Sequence, residues 1–123
     1  MEKVDKTWGW EHWFANSELY CGKLLYVKPG LWWSSNGAYH YHKIKDETFL
    51  VIESKLTLEY YDGIIHRSIT LEPYDSFHIK PGIKHRFTCK TDDGCKFIEA
   101  STQHFEEDSY RCELKNGIWI EKS

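Results

Sequence analysis

The sequence predicts an all-β domain, a sandwich or barrel of short antiparallel strands, on three observations. Short alternating or β-branched runs recur along the 123 residues, turn signals separate them, and helix-period segments are scarce. Pro29-Gly30, Asn36-Gly37, Asp62-Gly63, Pro81-Gly82 and Asp93-Gly94 provide the punctuation, because each sets or tolerates turn dihedrals that a strand interior does not. The length suits one domain, which buries roughly two thirds of its unfolded surface without covalent staples.

The first eighteen residues, with Trp8-Gly9-Trp10-Glu11-His12-Trp13, read as an arm that packs its rings on the barrel or on a second copy of the chain. A single barrel domain over 19–123 follows, with a C-terminal extension. Strands are expected at 19–28, 38–42, 48–53, 55–61, 64–71, 76–79, 85–90, 96–101 and 118–121, each rich in β-branched or aromatic residues. Asp62-Gly63 is the sharpest turn signal, since both residues tolerate positive φ in a two-residue hairpin. In 97–101, Phe97, Glu99 and Ser101 share one face against Ile98 and Ala100, and the alternation does not say which set points inward. The acidic run 104–111 reads as loop or a short helical turn.

Sixteen Lys and Arg against nineteen Asp and Glu give a net charge of −3 with no basic cluster, which argues against nucleic acid or an anionic membrane as partner and for a small molecule. The first residues carry no apolar signal-peptide core and no run is long enough to cross a bilayer, so a cytoplasmic location is expected. Cys21, Cys89, Cys95 and Cys112 form no paired motif and are expected as reduced thiols. Aromatic residues make up 16% of the chain, more than a core this size needs, so some should line a ligand site.

His40-Tyr41-His42-Lys43-Ile44-Lys45-Asp46-Glu47 carries the chemistry. In a strand, side chains alternate faces, so His40 and His42 point the same way, roughly 6.5–7 Å apart along the chain. Two imidazoles at that separation with a carboxylate five residues on suit a divalent metal, and His85, just past Pro81-Gly82, is the best candidate for the remaining ligand. The donor set admits Zn, Fe, Ni, Co or Mn.

The order His-x-His-x4-Glu, then a hairpin, then a Pro/Gly turn and His resembles the two motifs of the cupin superfamily over roughly residues 20–102. The resemblance implies a double-stranded β-helix, a jelly-roll-like barrel, with His40, His42, Glu47 and His85 as metal ligands. Several positions where the family favours particular turn residues differ here, among them Ser34, Ser54, Asp75 and Cys89. The segments 7–10, 20–30, 39–47, 84–87 and 98–105 resemble more narrowly the small sugar-phosphate cupins of the type II phosphomannose isomerase kind. That resemblance implies a metal-dependent aldose-ketose isomerase or epimerase of a sugar or sugar phosphate, and a homodimer. A non-catalytic sugar-binding cupin and a metal-dependent dioxygenase or decarboxylase are the alternatives.

Isomerisation needs a base near the metal, and Glu99 is the leading candidate, with His104 at the cavity mouth. Lys45 and Arg111 are candidate phosphate contacts, whereas Arg86, next to a ligand in a strand, should turn away. Trp33 is the candidate stacking ring and Ser101 a further substrate contact. Tyr39 and Tyr41, of opposite parity to the histidines, should face outward, with His12, His66 and His78 peripheral.

Overall fold

The computed structural model describes residues 2–122. Twelve strands follow in order: β1 (Glu2–Lys6), β2 (Gly9–Asn16), β3 (Cys21–Val27), β4 (Tyr39–Tyr41), β5 (Glu47–Glu53), β6 (Leu56–Tyr61), β7 (His66–Leu71), β8 (Ser76–Ile79), β9 (Lys84–Thr88), β10 (Cys95–Ser101), β11 (Tyr110–Lys115) and β12 (Ile118–Lys122). They form two six-stranded antiparallel sheets, ordered β1-β2-β3-β10-β5-β8 and β12-β11-β4-β9-β6-β7. The all-β expectation holds, as the double-stranded jelly-roll that the motifs imply.

Alternation explains the core between the sheets. Phe49 and Val51 on β5, Leu25 and Val27 on β3, Leu56 and Leu58 on β6, and Phe97 on β10 are all essentially buried, each two residues from the next on its strand. Phe97 packs against Phe49 and Phe87 with ring centroids 4.8 and 5.2 Å away, in tilted and edge-on arrangements that aromatic rings favour. The same parity turns Glu47 and Glu99 inward from β5 and β10, which settles the facing of 97–101. All four cysteines are buried and free.

Three local readings need correction. The expected N-terminal arm is a hairpin, β1 and β2, hydrogen-bonded onto β3 as part of the first sheet. Its turn buries Trp8 in the core, edge-on to Phe87 at 5.0 Å. Gly9 permits this because its Cα faces the β3 backbone: a Cβ there would sit 1.8 Å from the Tyr26 carbonyl oxygen. The hairpin at Asp62-Gly63 is a four-residue loop, since Tyr61 pairs with His66. Asp62 organises it by accepting the amides of Ile64 and Ile65 on Oδ1 at 2.8 and 3.0 Å, so the side chain stands in for a tighter backbone turn. A short 3-10 turn does occupy Glu106–Asp108, but Tyr110 and Arg111 already belong to β11, which pairs with β4 and β12. Asn116-Gly117, with φ of 52° and 79°, makes the β11–β12 hairpin, and an Asn-Gly pair is a local signal for such a turn.

Tyr74 holds a left-handed φ of 73° with its side chain 81% exposed. A left-handed non-glycine residue costs about 1–2 kcal/mol, partly offset by the extra freedom glycine has when unfolded. Tyr74→Gly is therefore expected to raise stability by about 0.5–1 kcal/mol, measured by urea unfolding at unchanged m-value.

Candidate metal centre

β4 lies between β11 and β9 in the second sheet. That placement pairs His40 directly with His85 of β9, bringing their rings to 4.1 Å between centroids. His42, just past β4, lies 5.5 Å from the His40 ring and 6.0 Å from that of His85. One ring nitrogen from each of the three falls within 4.8 Å of the others. Glu47 arrives from the other sheet, its Oε2 3.0 Å from His42 Nε2 and 3.7 Å from His85 Nε2.

Backbone carbonyls fix two of the tautomers. His42 Nδ1 faces the Asp108 carbonyl at 2.9 Å and His85 Nδ1 the Ile83 carbonyl at 2.9 Å. A carbonyl only accepts, so each Nδ1 carries a hydrogen, and the Nε2 of each ring is left facing the centre, the atom through which a metal would be held. Burial, then the other histidines, holds His40 well below the ordinary histidine range, and burial lowers the pKa of His85. Burial opposes ionisation of Glu47, but the His42 contact and the Lys45 charge outweigh it and keep the carboxylate ionised.

His40 Nδ1, Glu47 Oε2 and His85 Nε2 are buried without a properly directed hydrogen bond. Each such atom ordinarily costs about 1–3 kcal/mol. Neutral imidazoles converging with one carboxylate are the donor set of a divalent cation, which would satisfy them together; the residues present fit a metal.

Asp108, unforeseen from sequence, organises the loop between His42 and Glu47. Its Oδ1 accepts the amides of Lys43 and Ile44 at 2.9 and 3.1 Å, and its Oδ2 that of Lys45 at 2.9 Å, while its carbonyl holds His42. Burial alone would raise its pKa, but these three amides lower it.

Above the histidines opens a cavity of about 480 Å³. Glu99, His104, Lys45 and Arg111 all line it. Lys45 Nζ donates to Glu99 Oε2 at 3.0 Å, and Lys23 Nζ lies 4.0 Å from the same oxygen and 3.8 Å from Glu11. Burial, then the Glu47 charge, raises the Glu99 pKa against the pull of Lys45. His104 Nδ1 sits 3.2 Å from Lys23 Nζ and 3.4 Å from Lys45 Nζ. An ammonium only donates, so His104 is neutral with its hydrogen on Nε2; burial and then the two lysines push its pKa down to about 3.

Two expected substrate contacts lie elsewhere. Trp33 is outside the cavity lining, with the Arg86 guanidinium 4.4 Å over its ring; the aromatic wall comes instead from Trp8 and Trp13. Ser101 is also absent from the lining: its Oγ donates to the Thr102 carbonyl at 2.8 Å and approaches Glu99 Oε2 at 3.3 Å. Arg86 turns away as its parity required, paired with Glu59 at 2.7 Å. Lys23 joins the site without an expectation from sequence, although its position two residues from Leu25 and four from Val27 on β3 marks a lysine on a core-facing register.

Among the described residues, no helix is long and apolar enough to cross a membrane. No curated protein sequence matches the chain. Among solved structures, the capsular polysaccharide assembling protein CapF from Staphylococcus aureus superposes with a TM-score of 0.79 at 18% identity, over 92% of this chain and 32% of that one. Oxalate decarboxylase from Bacillus subtilis superposes with a TM-score of 0.77 at 15% identity, over 89% and 29%. The formate complex of the Lactobacillus farciminis oxalate decarboxylase gives 0.73 at 20% identity, over 88% and 32%. This chain thus spans about a third of the length of those proteins, and at such identities the likeness shows the fold. The sequence pattern of the cupin domain matches residues 23–101, the stretch holding the three clustered histidines and the neighbouring Glu47, and with it the chain belongs to the cupin family.

Proposed function

We propose that this cupin is a metal-dependent enzyme acting on a sugar or sugar phosphate, as an aldose-ketose isomerase or epimerase. The observation that supports it best is Glu99, a buried carboxylate lining the same cavity as His40 and His42, with its pKa raised. Zn, Fe, Ni, Co or Mn held by those four residues would polarise a hydroxy-carbonyl pair. Glu99 then moves the proton between adjacent carbons. Its elevated pKa brings it nearer the working pH, where a group can both accept and return a proton. Lys45, hydrogen-bonded to Glu99 Oε2, orients that carboxylate and stabilises its ionised form. His104, neutral and flanked by both lysines, offers an Nε2 hydrogen at the cavity mouth. The many hydroxyl, amide and charged groups around Trp8 and Trp13 suit a polyhydroxylated ligand better than an apolar one.

Metal analysis of the purified protein, followed by an aldose-ketose assay on a panel of sugar phosphates, tests the reading. Glu99→Gln is expected to lower kcat by at least about 100-fold, the usual weight of a positioned acid-base group, with metal content unchanged. Turnover unaffected by that change would remove Glu99 from the chemistry. A decarboxylase reading draws on the fold shared with oxalate decarboxylases, and carbon dioxide release from small dicarboxylates distinguishes it. Calorimetric sugar binding without turnover would leave a binding protein.

A further inference from the structure

The cations around the cavity are unequally satisfied. Of the three arginines in the chain, Arg67 donates Nε to Asp62 at 2.6 Å. Arg86 donates Nε and Nη2 to Glu59 at 2.9 and 2.7 Å, and Nη1 to the Gly37 carbonyl at 2.7 Å. Arg111 has no comparable partner. Among the described residues no carboxylate oxygen lies within 4.0 Å of it, its one hydrogen bond is a long 3.4 Å donation from Nη2 to the Ser35 carbonyl, and its Nε is buried with no acceptor. The cavity's buried lysines are engaged already, Lys45 by Glu99 and Lys23 by Glu99 and Glu11. Lys6, at the rim, is exposed to solvent.

A buried guanidinium nitrogen without an acceptor is unfavourable, and it is a permanent charge that cannot be relieved by deprotonation. Register places it: Arg111 on β11 is the direct partner of His40 on β4. Partners across an antiparallel pair project from the same face, with Cβ atoms about 4.5–5.5 Å apart. The free Nε and the loosely held Nη2 form the edge of the guanidinium that binds two oxygens of one anion side by side.

We propose that Arg111 is the anion-recognition residue of this cavity, taking an oxyanion, phosphate monoester or carboxylate, borne by a substrate whose other end reaches the histidine cluster. The inference rests on the cavity being the substrate site proposed above, and it narrows the substrate class to anionic molecules. Lys45 then serves Glu99 instead of the anion. A neutral sugar leaves the Arg111 Nε without an acceptor and is a poor ligand.

The test is a titration of the metal-free protein with inorganic phosphate, and separately with acetate, followed on the Arg111 Nε–H signal by NMR. That signal is assigned by its loss in Arg111→Met. The expected result is a saturating shift with at least one anion, with calorimetric affinity at least tenfold weaker in Arg111→Met and intermediate in Arg111→Lys, which keeps the charge but lacks the fork. The stronger response names the phosphate or carboxylate class. An Nε–H signal unmoved by both anions, or an affinity unchanged in Arg111→Met, overturns the proposal. Should Arg111→Met fail to fold, the wild-type signal and Arg111→Lys decide. Metal loading is measured separately, so phosphate binding without metal binding would leave this inference standing while removing the metal-dependent reading.

Discussion

Replacing His85 with alanine is expected to empty the centre of its ion, lowering metal affinity by at least about 100-fold, since even outer partners of metal ligands are worth 10–100-fold. His85 is fully buried, its Nδ1 is held by the Ile83 carbonyl, and its Nε2 makes no hydrogen bond among the described residues, with Glu47 Oε2 3.7 Å away. No other described histidine stands near enough to replace it, because His104 is occupied between Lys23 and Lys45. Elemental analysis after dialysis should find about one ion per chain in the wild type and almost none in the variant. Thermal melting supplies the second readout. An ion present at a thousand times its dissociation constant stabilises the folded state by about 4.1 kcal/mol, so a chelator should lower the wild-type Tm and leave that of His85→Ala unchanged. Full metal occupancy in the variant would contradict the assignment of this ligand.

Phe97→Ala should be the most destabilising single change in the core, at about 3–5 kcal/mol. Phe97 is wholly buried between Phe49 and Phe87, both of which line the cavity floor. Losing the ring forfeits its transfer free energy and leaves a hole that strands fixed in register on both sides cannot close. Guanidinium unfolding gives the value directly. A loss below about 1.5 kcal/mol would mean that the neighbouring rings had collapsed into the space. Phe97→Leu, closer in volume, should cost less than half as much.

Much of the fold and the centre was legible because two periodicities coincided. Strand alternation put His40 and His42 on one face, and the same rule grouped Phe97 with Glu99. Once Phe97 is seen to be core, Glu99 must share the interior. What stayed hidden depended on pairing between distant segments. Nothing local in Glu2–Lys6 or Gly9–Asn16 reveals that β3 has a free edge for them, and the Trp-rich composition reads equally well as packing on a surface. Asp108 was invisible for the same reason: its partners are backbone amides some sixty residues away. Trp33 is close to the ligand strand in sequence but not in space, because the turn at Ser34–Gly37 sends its ring to Arg86.

The hairpin that displaced the expected arm has a consequence for how this cavity can change. The ion platform and Glu99 come from residues 40–99, whereas the rim is drawn from Asp5, Lys6 and Thr7 on one side and Glu106, Ser109 and Arg111 on the other. Asp108, between those rim residues, must stay, because it holds His42 and the amides of residues 43–45. Exchanging the side chains at 5–7, 106, 109 and 111 around it would retune which molecule is admitted while leaving the reactive floor intact, so one chemistry could be offered to a succession of ligands by remodelling the entrance alone.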